Sequence, residues 1–143
     1  MHRGPPPNPG EACEVNWITL EELILLHERV IAETGGVHGI MNPGGLEMAL
    51  LRPFTVFEGK ELFPDLWSKV AALIHSIIAF HPFVDGNKRT ALVAADVCLR
   101  LNGYRLRPSE EVERFFWAIA RGEKTIQEIA DWIRDNAEPW EGE

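Results

Sequence analysis

Cysteine is scarce in this chain: two residues of 143, Cys13 and Cys98. Neither sits in a C-x-x-C pattern, so a zinc or dithiol redox site has little support. Cys98 falls in an apolar stretch and reads as a small buried residue. Positive charge is also short, with 14 Lys and Arg against 22 Asp and Glu and a net charge of −8. Nucleic-acid binders usually carry a basic face, so no direct nucleic-acid partner is expected. Any local cationic loop in so acidic a chain stands out as a focus for anions. No apolar run reaches the roughly 18 residues that a membrane span needs. The start of the chain has no apolar leader core. Together these predict a cytoplasmic protein with no membrane partner. Repeats are absent.

Residues 1–15 (MHRGPPPNPGEACEV) hold four prolines and two glycines and are expected to form a flexible tail. A single domain is expected over residues 16–143, with 45% apolar composition to build its core. Thr19 and Glu22 make a capping box for a helix running to about Glu33, which Gly35-Gly36 ends. Gly39–Gly45 reads as a loop, and Leu46–Leu51 as a short helix stopped by Pro53. Residues 54–63 alternate weakly around Glu58-Gly59, which suggests a small β-hairpin. Asp65 caps an apolar helix through Phe80. Asn87–Leu101 is apolar on most sides, so it is expected to be the central helix. Ser109 opens a fifth helix. Thr125 and Glu128 form a second capping box before Ile126, Ile129, Ala130 and Ile133. The expected class is mainly α, about six helices with a small β-hairpin flap.

The chemistry concentrates in residues 81–91, HPFVDGNKRTA. His81 closes one helix, and Asn87–Arg89 begin the next. A helix N-terminus has unpaired N–H groups and a positive dipole end, which suit an anion. Gly86 permits a backbone geometry or close approach that a side chain would block. His81 is the candidate general base, since imidazole titrates near neutral pH. Asp85 is the candidate ligand for Mg²⁺ beside phosphates. Asn87, Lys88 and Arg89 are candidate phosphate contacts, and Phe83 the apolar anchor under the loop. Capping alone explains any one of these residues, but it does not call for a His, a Gly and two cations together. Phosphoryl transfer needs mainly positioning and charge stabilisation, which this set supplies. His75 reads as a satisfied core histidine. His27 and His38 belong to no constellation, and the five Trp read as core or interface residues.

HPFVDGNKRTA resembles the signature of the Fic/Doc superfamily. It is nearest to the death-on-curing (Doc) branch, with its pattern H-x-F-x-(D/N)-(A/G)-N-K-R-T-A. Residues 20–36 (LEELILLHERVIAETGG), 45–53 (GLEMALLRP), Phe63–Leu66 and Leu99–Tyr104 (LRLNGY) are similar to Doc sequences as well. The resemblance implies a Fic/Doc-like helical bundle with a flap that aligns the target segment. It implies His81 as base, Asp85 as metal-binding acid, and Gly86, Asn87 and Arg89 as phosphate-binding positions. Two positions depart from the adenylylating Fic pattern and match Doc: Lys88 replaces a Gly and Leu92 replaces the second Arg. The Doc branch implies a toxin of a type II toxin–antitoxin system. Such a toxin transfers the γ-phosphate of ATP, with Mg²⁺, to a threonine of elongation factor Tu and arrests translation. An antitoxin with a disordered inhibitory tail is the implied partner. No self-inhibitory helix motif is present, so control is expected from outside. Protein adenylylation is the alternative activity, and an inactive binding module the second. Doc-like sequences often carry Arg-Asp after a Gly-Ile, where this chain has Met41-Asn42.

Overall fold

A computed structural model describes residues 14–142, which form six helices and two short antiparallel strand pairs. The mainly α expectation holds. Most of the tail expected over 1–15, with Cys13, lies outside the described residues. Val15 is half-buried against the core. Asn16 is tied to the far end of the domain: its N–H donates to Asn102 Oδ1 at 2.9 Å, and Asn102 Nδ2 donates to Asn16 O at 2.8 Å.

The helix starts follow local chemistry. Helix α1 (Leu20–Thr34) opens on the Thr19/Glu22 capping box and ends at Gly35, whose φ is +86°. Helix α2 (Pro43–Leu51) begins three residues before the expected Leu46. Asn42 Oδ1 accepts the Gly45 N–H at 2.9 Å, and Pro43 suits a first helical turn. The expected loop over Gly39–Gly45 is therefore shorter, with Pro43, Gly44 and Gly45 inside the helix. Gly45 allows close approach to α3, since a Cβ there would lie 3.1 Å from Phe80 Cβ. Pro53 falls in a 3-10 turn, Arg52–Phe54.

Strands β1 (Val56–Phe57) and β2 (Lys60–Glu61) make the expected hairpin, with Val56 opposite Glu61. Its turn residues, Glu58 and Gly59, both have positive φ, the geometry that matches strand twist. Lys69, 1% exposed on the next helix, ties the hairpin down. Its ammonium donates to Glu61 Oε1 at 2.8 Å and to Phe63 O. A buried lysine is tolerable only when paired in this way.

Helix α3 (Leu66–Phe80), capped by Asp65, is the hub, packing against α2, α6 (Ile126–Asn136) and α4 (Asn87–Arg100). Centrality was expected of the 87–101 helix, but eleven of fifteen α3 residues are buried against seven of fourteen in α4. Leu92, Val93 and Val97 leave one α4 face only half-covered. Helix α5 (Glu111–Ala120) follows Ser109, whose Oγ accepts the Glu111 N–H at 3.0 Å. Strand β3 (Tyr104–Leu106) pairs with β4 (Ala137–Pro139), a closure the sequence reading did not contain. Among the described residues no helix is long and apolar enough to cross a membrane.

Candidate active site

Helix α3 stops at His81, whose backbone is left-handed at φ +46° and ψ +58°. Histidine tolerates this region better than most residues, at about 1–2 kcal/mol. Pro82 then bars helical continuation. The chain crosses to α4 in five residues, with Phe83 fully buried and His81 and Asp85 exposed. A second segment braces the crossing. Met41 and Asn42 donate their N–H groups to Pro82 O at 2.8 and 3.0 Å, and the Val84 N–H donates to Gly39 O at 3.0 Å. At the Met41-Asn42 departure, Asn42 thus caps α2, while Met41 is exposed.

Gly86, at φ +73°, is the N-cap of α4 and supplies no capping side chain. Thr90 makes the first helical bond, to Gly86 O at 2.9 Å. The N–H groups of Asn87, Lys88 and Arg89 have no acceptor among the described residues. Three unpaired donors at the positive end of a helix form an anion seat.

The Asn87 side chain is buried and committed to the loop. Its Oδ1 accepts the Phe83 N–H at 3.0 Å, and Nδ2 donates to Phe83 O at 2.9 Å. These bonds fix the amide orientation and place Nδ2 3.3 Å from His81 Nδ1. A donor facing Nδ1 makes that nitrogen the acceptor and leaves the ring proton on Nε2. At 3.3 Å the contact is at the weak end of the hydrogen-bond range. The backbone N–H of Asn87 is left for an anion.

Asp85 is held through both oxygens. Oδ1 accepts the Gly86 N–H at 2.9 Å and Oδ2 the Val37 N–H at 3.2 Å. The exit from α1 passes so close that a Cβ at Gly36 would lie 2.6 Å from Asp85 Oδ2. No cluster of three or more His, Cys, Asp or Glu exists among the described residues. Mg²⁺ is usually held by one or two carboxylates with substrate phosphates and water, and a single aimed carboxylate fits that mode.

Both cations lean toward α5. Lys88 Nζ sits 3.7 Å from the centre of the Trp117 ring. Its ammonium is pushed below the usual lysine range by burial, with Arg89 adding to the shift and Glu113 opposing it. Arg89 Nη2 is 3.9 Å from Glu113 Oε1, an exposed pair of small energetic weight. His81, Asp85, Gly86, Asn87, Lys88 and Arg89 line one cavity of about 400 Å³, with Val84, Thr34 and Gly35 completing it.

The sequence reading passed over His27. It is buried on α1, stacked on Phe83 with ring centres 3.8 Å apart, and its Nε2 is 2.8 Å from Asp85 O. The available signal was a histidine on the Leu23, Val30 and Ile31 face of α1, but spacing alone does not name its partner. His38 joins none of these contacts. His75 accepts from Arg52 Nη1 at 3.1 Å through Nδ1, as a satisfied, half-buried histidine.

Residues 17–99, from the entry to α1 almost to the end of α4, match the Fic/DOC family, and the chain belongs to it. Within the family it lies with the Doc branch. It is 41% identical over 80 residues to a protein named Toxin Doc from Mycolicibacterium smegmatis, a match covering 56% of this chain and 62% of that one. It is 35% identical over 117 residues to a protein named Protein kinase doc from Escherichia phage P1, covering 82% of this chain and 92% of that one.

Proposed function

We propose that this chain is a Doc-type toxin that transfers the γ-phosphate of ATP to a hydroxyl of a protein target. The observation that carries the reading is the set of three unpaired N–H groups at α4, in one cavity with His81 and Asp85. The names of the two relatives, one a toxin and one a protein kinase, point the same way. Lys88 and Leu92, where adenylylating Fic proteins have Gly and Arg, favour phosphoryl over nucleotidyl transfer. The candidate target is a threonine of elongation factor Tu, with arrest of translation as the consequence. The candidate regulator is an antitoxin whose disordered tail covers the site.

In this reading the backbone N–H groups of Asn87, Lys88 and Arg89 hold phosphate oxygens. Lys88 swings from Trp117 toward added negative charge, and Arg89 clamps a phosphate. Asp85 is the residue that would hold Mg²⁺, which would supply charge neutralisation on the phosphate oxygens. The target oxygen forms a bond to the γ-phosphorus, and the bond from that phosphorus to the β–γ bridging oxygen breaks. ADP leaves, and the hydroxyl proton passes to His81. Accepting it at Nε2 requires the ring to carry its own proton on Nδ1, so the weak contact with Asn87 must yield.

Incubation with purified elongation factor Tu and ATP labelled at the α or the γ position tests this. Transfer of γ label, lost in His81→Ala, is expected. Transfer of α label alone would instead mean adenylylation by the same base. Toxicity and target binding unaffected by His81→Ala, with no label moved, would mean a binding module.

A further inference from the structure

We propose that His27 is a positioning residue for the site, holding the Asp85–Gly86 peptide so that the α4 N–H groups and the Asp85 carboxylate face the same cavity. The proposal deepens the Mg-nucleotide reading of the loop and rests on it for its functional consequence.

His27 is 2% exposed on an α1 face otherwise made of Leu23, Val30 and Ile31. A polar ring there must have a partner to offset its desolvation. Its partner is Asp85 O, 2.8 Å from Nε2. A carbonyl only accepts, so Nε2 carries the proton and the tautomer is set. The Asp85 carbonyl and the Gly86 N–H are two ends of one peptide plane. His27 holds the first end, and Asp85 Oδ1 holds the second at 2.9 Å.

That plane needs holding because Gly86 follows it at φ +73°. Glycine moves between positive and negative φ at little cost, so the peptide before it can flip. A flip would turn the Asp85 carbonyl to the side where the Gly86 N–H now meets the Asp85 carboxylate, setting two acceptors against each other. It would also break the Gly86 bond that aims the carboxylate. Stacking on Phe83, with rings 4° from parallel, keeps the imidazole in register with the loop. Ile31 closes the other side, since a Cβ at Gly86 would lie 2.9 Å from Ile31 Cδ1.

Two substitutions separate the donor from the ring. His27→Gln keeps an Nε2 donor at similar reach and loses the stack; His27→Phe keeps the stack and loses the donor. Hydrogen exchange over residues 83–90, read against α6, reports the loop without any ligand. Calorimetric titration with MgATP reports the site. In His27→Phe we expect loop exchange to quicken about tenfold and MgATP binding to weaken about tenfold, the scale of one lost hydrogen bond. His27→Gln should lie within about threefold of wild type on both, as expected if the donor is what matters. Leu23→Ala, on the same helix face, controls for general loss of stability and should leave the ratio of loop to α6 exchange unchanged. A folded His27→Phe protein with wild-type loop exchange overturns the proposal. So does a ranking in which Gln is worse than Phe, which would mark His27 as packing alone. If the wild-type protein does not bind MgATP, the proposed function fails, and loop exchange still decides whether His27 holds the peptide.

Discussion

Replacing Asn87 by alanine should cost more stability than its position at a helix start suggests. The side chain is 7% exposed and spans the loop it belongs to. Its loss strands the Phe83 N–H and the Phe83 carbonyl, bonded at 3.0 and 2.9 Å, beneath a fully buried ring. Each unsatisfied buried group costs about 1–3 kcal/mol. Water entering from the cavity side will recover part of this, so about 2–4 kcal/mol is expected in total. For a chain of this size each kcal/mol moves the melting midpoint by roughly 3–4 °C, which gives a fall of about 6–16 °C. The assay is thermal unfolding followed by far-UV circular dichroism. Asn87→Asp sharpens it. That variant keeps the acceptor for the Phe83 N–H but turns an oxygen toward Phe83 O and His81 Nδ1. It should be destabilised relative to wild type, because that oxygen faces the Phe83 carbonyl where the amide donated. An alanine variant melting within about 2 °C of wild type would refute the loop-bracing role, being less than the cost of one stranded group.

Gly36→Ala places a Cβ 2.6 Å from Asp85 Oδ2 at a φ of +118°. It should shift the carboxylate and lower Mg-dependent turnover at least about tenfold, the scale at which small misplacements act, as measured by label transfer across a Mg²⁺ series. Trp117→Ala removes the ring on which Lys88 rests. An exposed cation–π contact is worth about 0.5–1 kcal/mol, so MgATP should bind about two- to fivefold more tightly by calorimetry. Burial, with Arg52 beside it, lowers His75 from the ordinary value of 6.5. The unfolded chain then holds the His75 proton more tightly than the folded one. Stability from this residue is present above pH 6.5 and is lost as pH falls below it. Denaturant titrations at pH 7.5 and 5.5 should show that loss in wild type and less of it in His75→Gln.

The helices with side-chain caps were legible because their starts are local. Thr19, Asp65 and Thr125 each bond a backbone N–H three residues on, and the spacing alone announces it. The β3–β4 pair was not legible, because Ala137-Glu138-Pro139 has little strand character of its own. Its register depends on Tyr104–Leu106, some thirty residues earlier. The rank of α3 over α4 was hidden because both helices are apolar over much of their length, and composition does not show which faces are covered. In the site, the loop residues could be read together because they are contiguous. Their supports could not: His27, Gly36 and Val37 lie some fifty residues upstream and reach Asp85 only through the docking of α1.

The contact between Lys88 and Trp117 couples the signature loop to a helix outside the signature. The family match ends at residue 99, before α5 begins. Lys88 belongs to the shared loop, whereas Trp117 and Glu113, which hold Lys88 and Arg89, belong to the segment after it. Two relatives with identical loops can therefore differ in how readily their cations reach an anion. The dial for that difference sits on a helix that carries none of the signature.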